Sequence, residues 1–78
     1  MMTTARDVLN QLKWGDDQGL EGVEIYYVHR GAPGDFKVLK GEEIINLGRS
    51  FISHARGDIP YHRVFKITRG EDVFLDRD

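Results

Sequence analysis

His29 and Arg30 close the run VEIYYVHR at residues 23–30, and His62 and Arg63 stand near the start of IPYHRVFKI at residues 59–67. The chain has three histidines, and two of them carry an arginine on the C-terminal side and an aromatic residue within the two preceding positions. Arginine offers a planar fork of donors that matches phosphate oxygens, and histidine offers a donor whose protonation changes near neutral pH. Two such pairs could surround one phosphate monoester or diester. Neighbouring side chains on a strand face opposite sides, so a His-Arg pair can serve one pocket only at a strand end. Gly31 directly after the first pair and Pro60 just before the second both permit that. A plainer reading stands beside this one: His29 shares a face with Val23, Ile25 and Tyr27, and His62 with Val64, as core histidines bonded to backbone carbonyls would.

Other residues offer weaker signals. Gly31 and Gly34 in HRGAPGD would let the backbone approach an anion, although Pro33 removes one donor and a tight hairpin alone would explain the glycines. Tyr26, Tyr27, Phe51, Tyr61 and Phe65 could stack on bases, with most of them needed for the core of so small a chain. His54, in a polar stretch beside Ala55 and Arg56, reads as surface. No glycine-rich loop with a following Lys-Ser/Thr is present, the histidines lack a zinc spacing, and Ser50 and Ser53 lack a nucleophile-elbow context. Glu42 and Glu43 read as charges at a helical N-terminus. Acid-base chemistry on a phosphodiester by two histidines is permitted.

Charge is distributed in blocks. Residues 1–48 hold five basic and eight acidic residues, residues 49–69 five basic and one acidic, and residues 70–78 one basic and four acidic. The central block also contains His54 and His62, and it would form an anion-binding face if the fold gathered it, or solvated edge charges if not. With 40% hydrophobic and 31% charged residues, the 78-residue chain is globular rather than disordered. Its size suits one small domain, residues 1–78. The absence of cysteine excludes disulfides and thiolate metal sites and suits a reducing cytoplasm. No leader-like start and no run of about 18 apolar residues occurs, so the expectation is a soluble, cytoplasmic protein without membrane contact.

These residues need a frame. Thr4 and Asp7 resemble a capping box with a shortened acid, and Ala5, Val8, Leu9 and Leu12 follow at helical spacing, which predicts a helix that ends at Trp14 and Gly15. Trp14 is expected to fold over the core edge. GDDQGLEG is a loop by composition. Residues 23–30 and FKVLK at 36–40 predict a β-hairpin across GAPGD. GEEIINLG suits a short helical turn, RSFISH alternates as a strand, residues 59–68 predict the longest strand, and VFLD at 73–76 pairs with it across RGED. The expected fold class is α+β, with the N-terminal helix packed on a curved, mainly antiparallel sheet of four to five short strands. Val23, Ile25, Val64, Ile67 and Phe74 are the expected core.

YVHRGAPGD, INLGRSFI and IPYHRVFKI, taken in order, resemble the RNA cyclic-group end recognition domain, a small archaeal and bacterial family first catalogued as uncharacterised and also found fused to enzymes of RNA-repair type. The likeness runs from the ARDVLNQLKW helix to the final strand. It implies binding of RNA termini, particularly those with a 2',3'-cyclic phosphate, and it matches His29, Arg30, Gly31, Gly34, Gly48, Arg49, Tyr61, His62 and Arg63. The expectation is a stand-alone domain, without the fused enzyme partner.

The resulting expectation is non-catalytic recognition of RNA 3' ends, without cofactor or metal. Arg30 and Arg63 would hold the phosphate, His29 and His62 would read its charge or ester state, and Arg49 and Lys66 would contact the adjoining backbone. An RNA-processing or repair enzyme is the expected protein partner. Two rivals are a cyclic phosphodiesterase with His29 and His62 as base and acid, and a protein-interaction module in which both pairs are structural.

Overall fold

The computed structural model describes residues 4–15 and 17–77; Asp16, within the expected loop, lies outside them. Helix α1 spans Ala5–Gly15. Its first turn is closed reciprocally, with the Asp7 N–H donating to Thr4 Oγ1 at 3.1 Å and the Thr4 N–H to Asp7 Oδ2 at 3.4 Å. This satisfies donors that a helix N-terminus otherwise leaves unpaired. Ala5, Val8, Leu9 and Leu12 form the buried stripe, as the spacing predicts. Trp14 does not fold over the core. It is 76% exposed, with Lys13 Nζ 4.9 Å from its ring centroid, because the apolar stripe has already turned away by the last helical turn.

The strands are β1 (Val23–Val28), β2 (Phe36–Lys40), β3 (Ile44–Leu47), β4 (Phe51–His54), β5 (Gly57–Pro60), β6 (Val64–Arg69) and β7 (Asp72–Asp76). They form two antiparallel sheets, one of order β2-β1-β6-β7 and one of order β3-β4-β5. The class is therefore α+β, with two sheets where one was expected. Residues 41–47 split into a 3-10 turn, Gly41–Glu43, and strand β3. Gly41 is buried where a Cβ would collide with the Leu20 carbonyl, which fixes this turn against the loop after α1.

The expected long strand over 59–68 is likewise interrupted. Its first part pairs with β4, its last part pairs with β1, and the 3-10 turn Tyr61–Arg63 carries the chain from one sheet to the other. The core lies between α1 and the inner faces of the sheets, with Leu9, Val23, Ile25, Ile52, Val64 and Ile67 almost wholly buried. Phe74 is half-buried at its margin. Burying a side chain of this kind contributes about 1.5–3 kcal/mol.

Candidate phosphate-binding cleft

Where β1 and β2 face the β4-β5 hairpin, a cleft of about 390 Å³ opens. Tyr27, His29, Lys37 and Leu39 line it from the larger sheet, and His54, Arg56, Asp58 and Ile59 from the smaller one; Arg63 reaches it from the Tyr61–Arg63 turn. Three cationic side chains and two imidazoles thus share a cleft with two carboxylates, Glu43 and Asp58. One Glu43 oxygen, Oε2, is engaged by the Lys40 N–H at 2.9 Å.

Local structure explains how each residue arrives there. His29 is the first residue beyond β1, and its main chain closes the following turn: its N–H donates to the Asp35 carbonyl at 2.9 Å, and its carbonyl accepts from Ala32 N–H at 3.3 Å. Gly31 and Gly34 supply the positive φ values, 93° and 73°, that this turn requires. Asp35 follows in the same left-handed region at φ 61°, which a short polar side chain tolerates better than most. The half-buried His29 ring stands edge-on to Tyr27, with centroids 6.3 Å apart and planes at 89°. His54 ends β4, and its Nδ1 accepts from the Arg56 N–H at 3.4 Å, so a neutral imidazole there carries its proton on Nε2.

The turn carrying Arg63 is anchored by Tyr61. Its ring is buried, and its hydroxyl donates to the Gly48 carbonyl at 2.8 Å. The Tyr61 N–H also donates to Ser50 at 3.3 Å, and the Gly48 N–H to Phe51 at 2.9 Å, tying residues 48–51 to the turn. Burial pushes the Tyr61 pKa above 10.0, and the Arg6 charge opposes that rise.

The residues expected to touch ligand therefore separate. His29 and Arg63 share the cleft. Gly34 and Lys66 line a different depression, on the outer face of the larger sheet. Arg30, Gly31, Arg49 and His62 are exposed and line neither. Tyr61 supports the turn from inside. Lys37, His54 and Arg56 are the cleft residues that sequence reasoning missed. The available signal was HARG at 54–57, a histidine at the start of a hairpin turn and an arginine within it, inside the basic block.

Comparison with known proteins bears on this arrangement. The family model described as the MJ1316 RNA cyclic group end recognition domain matches residues 2–77. The chain belongs to this family. A UPF0248 protein of Methanococcus maripaludis (strain C5) is 34% identical over 75 residues, covering 92% of this chain and 97% of its own. One from Pyrobaculum calidifontis is 32% identical over 79 residues, with 92% and 95% covered, and one from Pyrococcus abyssi is 32% identical over 66 residues, with 85% and 78% covered. No solved structure matches the chain. Among the described residues no helix is long and apolar enough to cross a membrane.

Proposed function

We propose that this protein is an RNA-binding domain that recognises phosphorylated RNA 3' ends of the 2',3'-cyclic type, with the terminal phosphate seated in the cleft. The observation that carries this reading is the meeting of His29 and Arg63, from the two His-Arg segments, with Lys37, His54 and Arg56 in one cleft between the sheets. Arg63 would hold the phosphate through its fork, Lys37 and Arg56 would add charge, and the imidazoles would donate to the ester or anionic oxygens. Tyr27, set edge-on to His29, would fix that ring. The family description names the same ligand class. A reader of ends would act in the cytoplasm beside an RNA-processing or repair enzyme, delivering or guarding the terminus.

The test is fluorescence anisotropy of a short labelled RNA ending in 2',3'-cyclic phosphate, 3'-phosphate or 3'-hydroxyl, across a salt series. Recognition predicts tighter binding of the phosphorylated ends, weakened by salt as counterions are released. Equal affinity for all three ends would refute it.

Two imidazoles in the cleft favour one second reading, a cyclic phosphodiesterase using His29 and His54 rather than His62. One neutral imidazole would take a proton from water as its oxygen attacks phosphorus, and the other, protonated, would give its proton to the departing ribose oxygen. Recovery of the RNA with its cyclic end opened, and loss of that conversion in either His→Ala variant, would establish it.

A further inference from the structure

On the side of the larger sheet facing away from α1, Tyr26, Phe36 and Phe65 form a triangle with ring centroids 6.0 to 6.3 Å apart. They are not part of the core: Phe36 is 39% exposed and the adjoining Val28 and Val38 are 42% and 41% exposed. Strand alternation puts Tyr26 and Val28 of β1, with their partners Val38 and Phe36 of β2, on this face. Phe65 joins them through a bulge. β6 pairs Lys66 with Tyr26 and Val64 with Tyr27, which leaves Phe65 as the extra residue, re-aimed so that both it and Lys66 reach the Tyr26 ring.

Two further features make this face suited to a ligand with flat rings and negative charge. Lys66 Nζ lies 5.6 Å from the Tyr26 centroid, and Arg77 is held alongside by its N–H donating to the Phe65 carbonyl at 2.8 Å. An open depression of about 610 Å³ lies over the rings, with Asp35 at its rim, and Asp76 stands across from Lys66 in the β6-β7 ladder, so two carboxylates oppose the two cations. Gly34 backs the Phe36 ring so closely that a Cβ would stand 3.0 Å from it.

We propose that this face is a second RNA subsite, on which the bases preceding the terminal phosphate stack against Tyr26, Phe36 and Phe65 while Lys66 and Arg77 meet the intervening backbone. The inference rests on the cleft as the seat of the terminal phosphate. The link is β2, the edge strand of its sheet. Lys37 lines the cleft while Phe36 lines the outer depression. Strands in a sheet are about 4.8 Å apart, so an RNA chain leaving the cleft need cross a single strand to reach the rings. Base stacking on aromatic side chains tolerates any sequence, since every base has a π-face.

The experiment compares uridine 2',3'-cyclic phosphate with a five-nucleotide RNA carrying the same end, and with that RNA made abasic at the positions before the end. Titrations use the full chain and its Phe36→Leu, Phe65→Leu and Arg63→Ala variants, each checked for fold by circular dichroism. The proposal expects the RNA to bind about tenfold more tightly than the mononucleotide. Abasic sites or either Leu variant should remove that gain and leave mononucleotide affinity unchanged, whereas Arg63→Ala should weaken both ligands. The same RNA ending in 3'-hydroxyl probes the face by itself, and its weaker binding should fall in the Leu variants alone. If the Leu variants bind both RNAs like wild type, the stacking face is wrong and the cleft reading stands. If instead they lose 3'-hydroxyl RNA while no ligand distinguishes a cyclic end, the cleft reading fails and the face binds RNA without it. A dimer that dissociates in Phe36→Lys under sedimentation would overturn the proposal by making this face an interface between copies.

Discussion

The two His-Arg segments are spelled alike and folded differently. His29-Arg30 leaves the end of β1 into a turn, so His29 lines the cleft and Arg30 is exposed. His62-Arg63 lies inside a 3-10 turn between the sheets; both side chains are exposed, and Arg63 lines the cleft while His62 does not. Each pair thus gives one member to the cleft, and a different one. The lesson is physical: adjacent side chains diverge on strands and on helical turns alike, so a dipeptide motif reports a location better than it reports a pair of ligand contacts.

That contrast can be broken most directly by substitution within each pair. Arg63→Ala carries the largest expected effect, a loss of about 10- to 100-fold in affinity for a cyclic-phosphate end, as removal of a charge-assisted hydrogen bond costs about 1.5–3 kcal/mol. Arg63→Lys should recover part of it, since a point charge replaces the fork. His29→Ala comes next, at about tenfold, read in the same anisotropy titration. A loss in Arg30→Ala or His62→Ala equal to those two would erase the distinction between inward and outward members.

Tyr61→Phe sharpens the comparison from beneath, because the hydroxyl supports the turn that aims Arg63. It should cost about 1 kcal/mol in urea unfolding by leaving the Gly48 carbonyl without this donor. The pH dependence has a definite sign. The folded-state pKa of Tyr61 is raised by burial, so the neutral phenol contributes stability that is present below about pH 10 and lost as pH rises through the raised value. Wild type should therefore lose stability above pH 10 more steeply than Tyr61→Phe, and parallel alkaline profiles would contradict the role assigned to burial. The smallest effects, below about threefold in affinity, are expected for Arg30→Ala and His62→Ala, whose exposed side chains lie outside the cleft.

Much of the fold was legible in the chain. The stripe Ala5, Val8, Leu9, Leu12 and the alternation over residues 23–30 follow directly from the periods 3.6 and 2; the helix formed as expected, and the strand formed over Val23–Val28, two residues short of the expected close at His29-Arg30. The division into two sheets was harder to see because IPYHRVFKI reads as one strand. Its buried positions are Ile59, Tyr61, Val64 and Ile67: the first interval of two is that of a strand, and the two intervals of three that follow fit a turn and then a bulge. His54 was misjudged for a related reason. It joins the cleft through the pairing of β4 with β3 and β5, and no local pattern around HARG encodes where that small sheet docks. Trp14 shows the opposite error, in that aromatic character suggested burial whereas the helical angle places it outside.

The most direct test of the cleft is to record 15N-1H and imidazole NMR spectra of the 78-residue protein during titration with uridine 2',3'-cyclic phosphate. The account predicts saturable shifts at His29, His54, Arg56 and Arg63, with Arg30 and His62 changing little. Shifts centred on Arg30, Arg49 and His62, with the cleft residues unmoved, would contradict it.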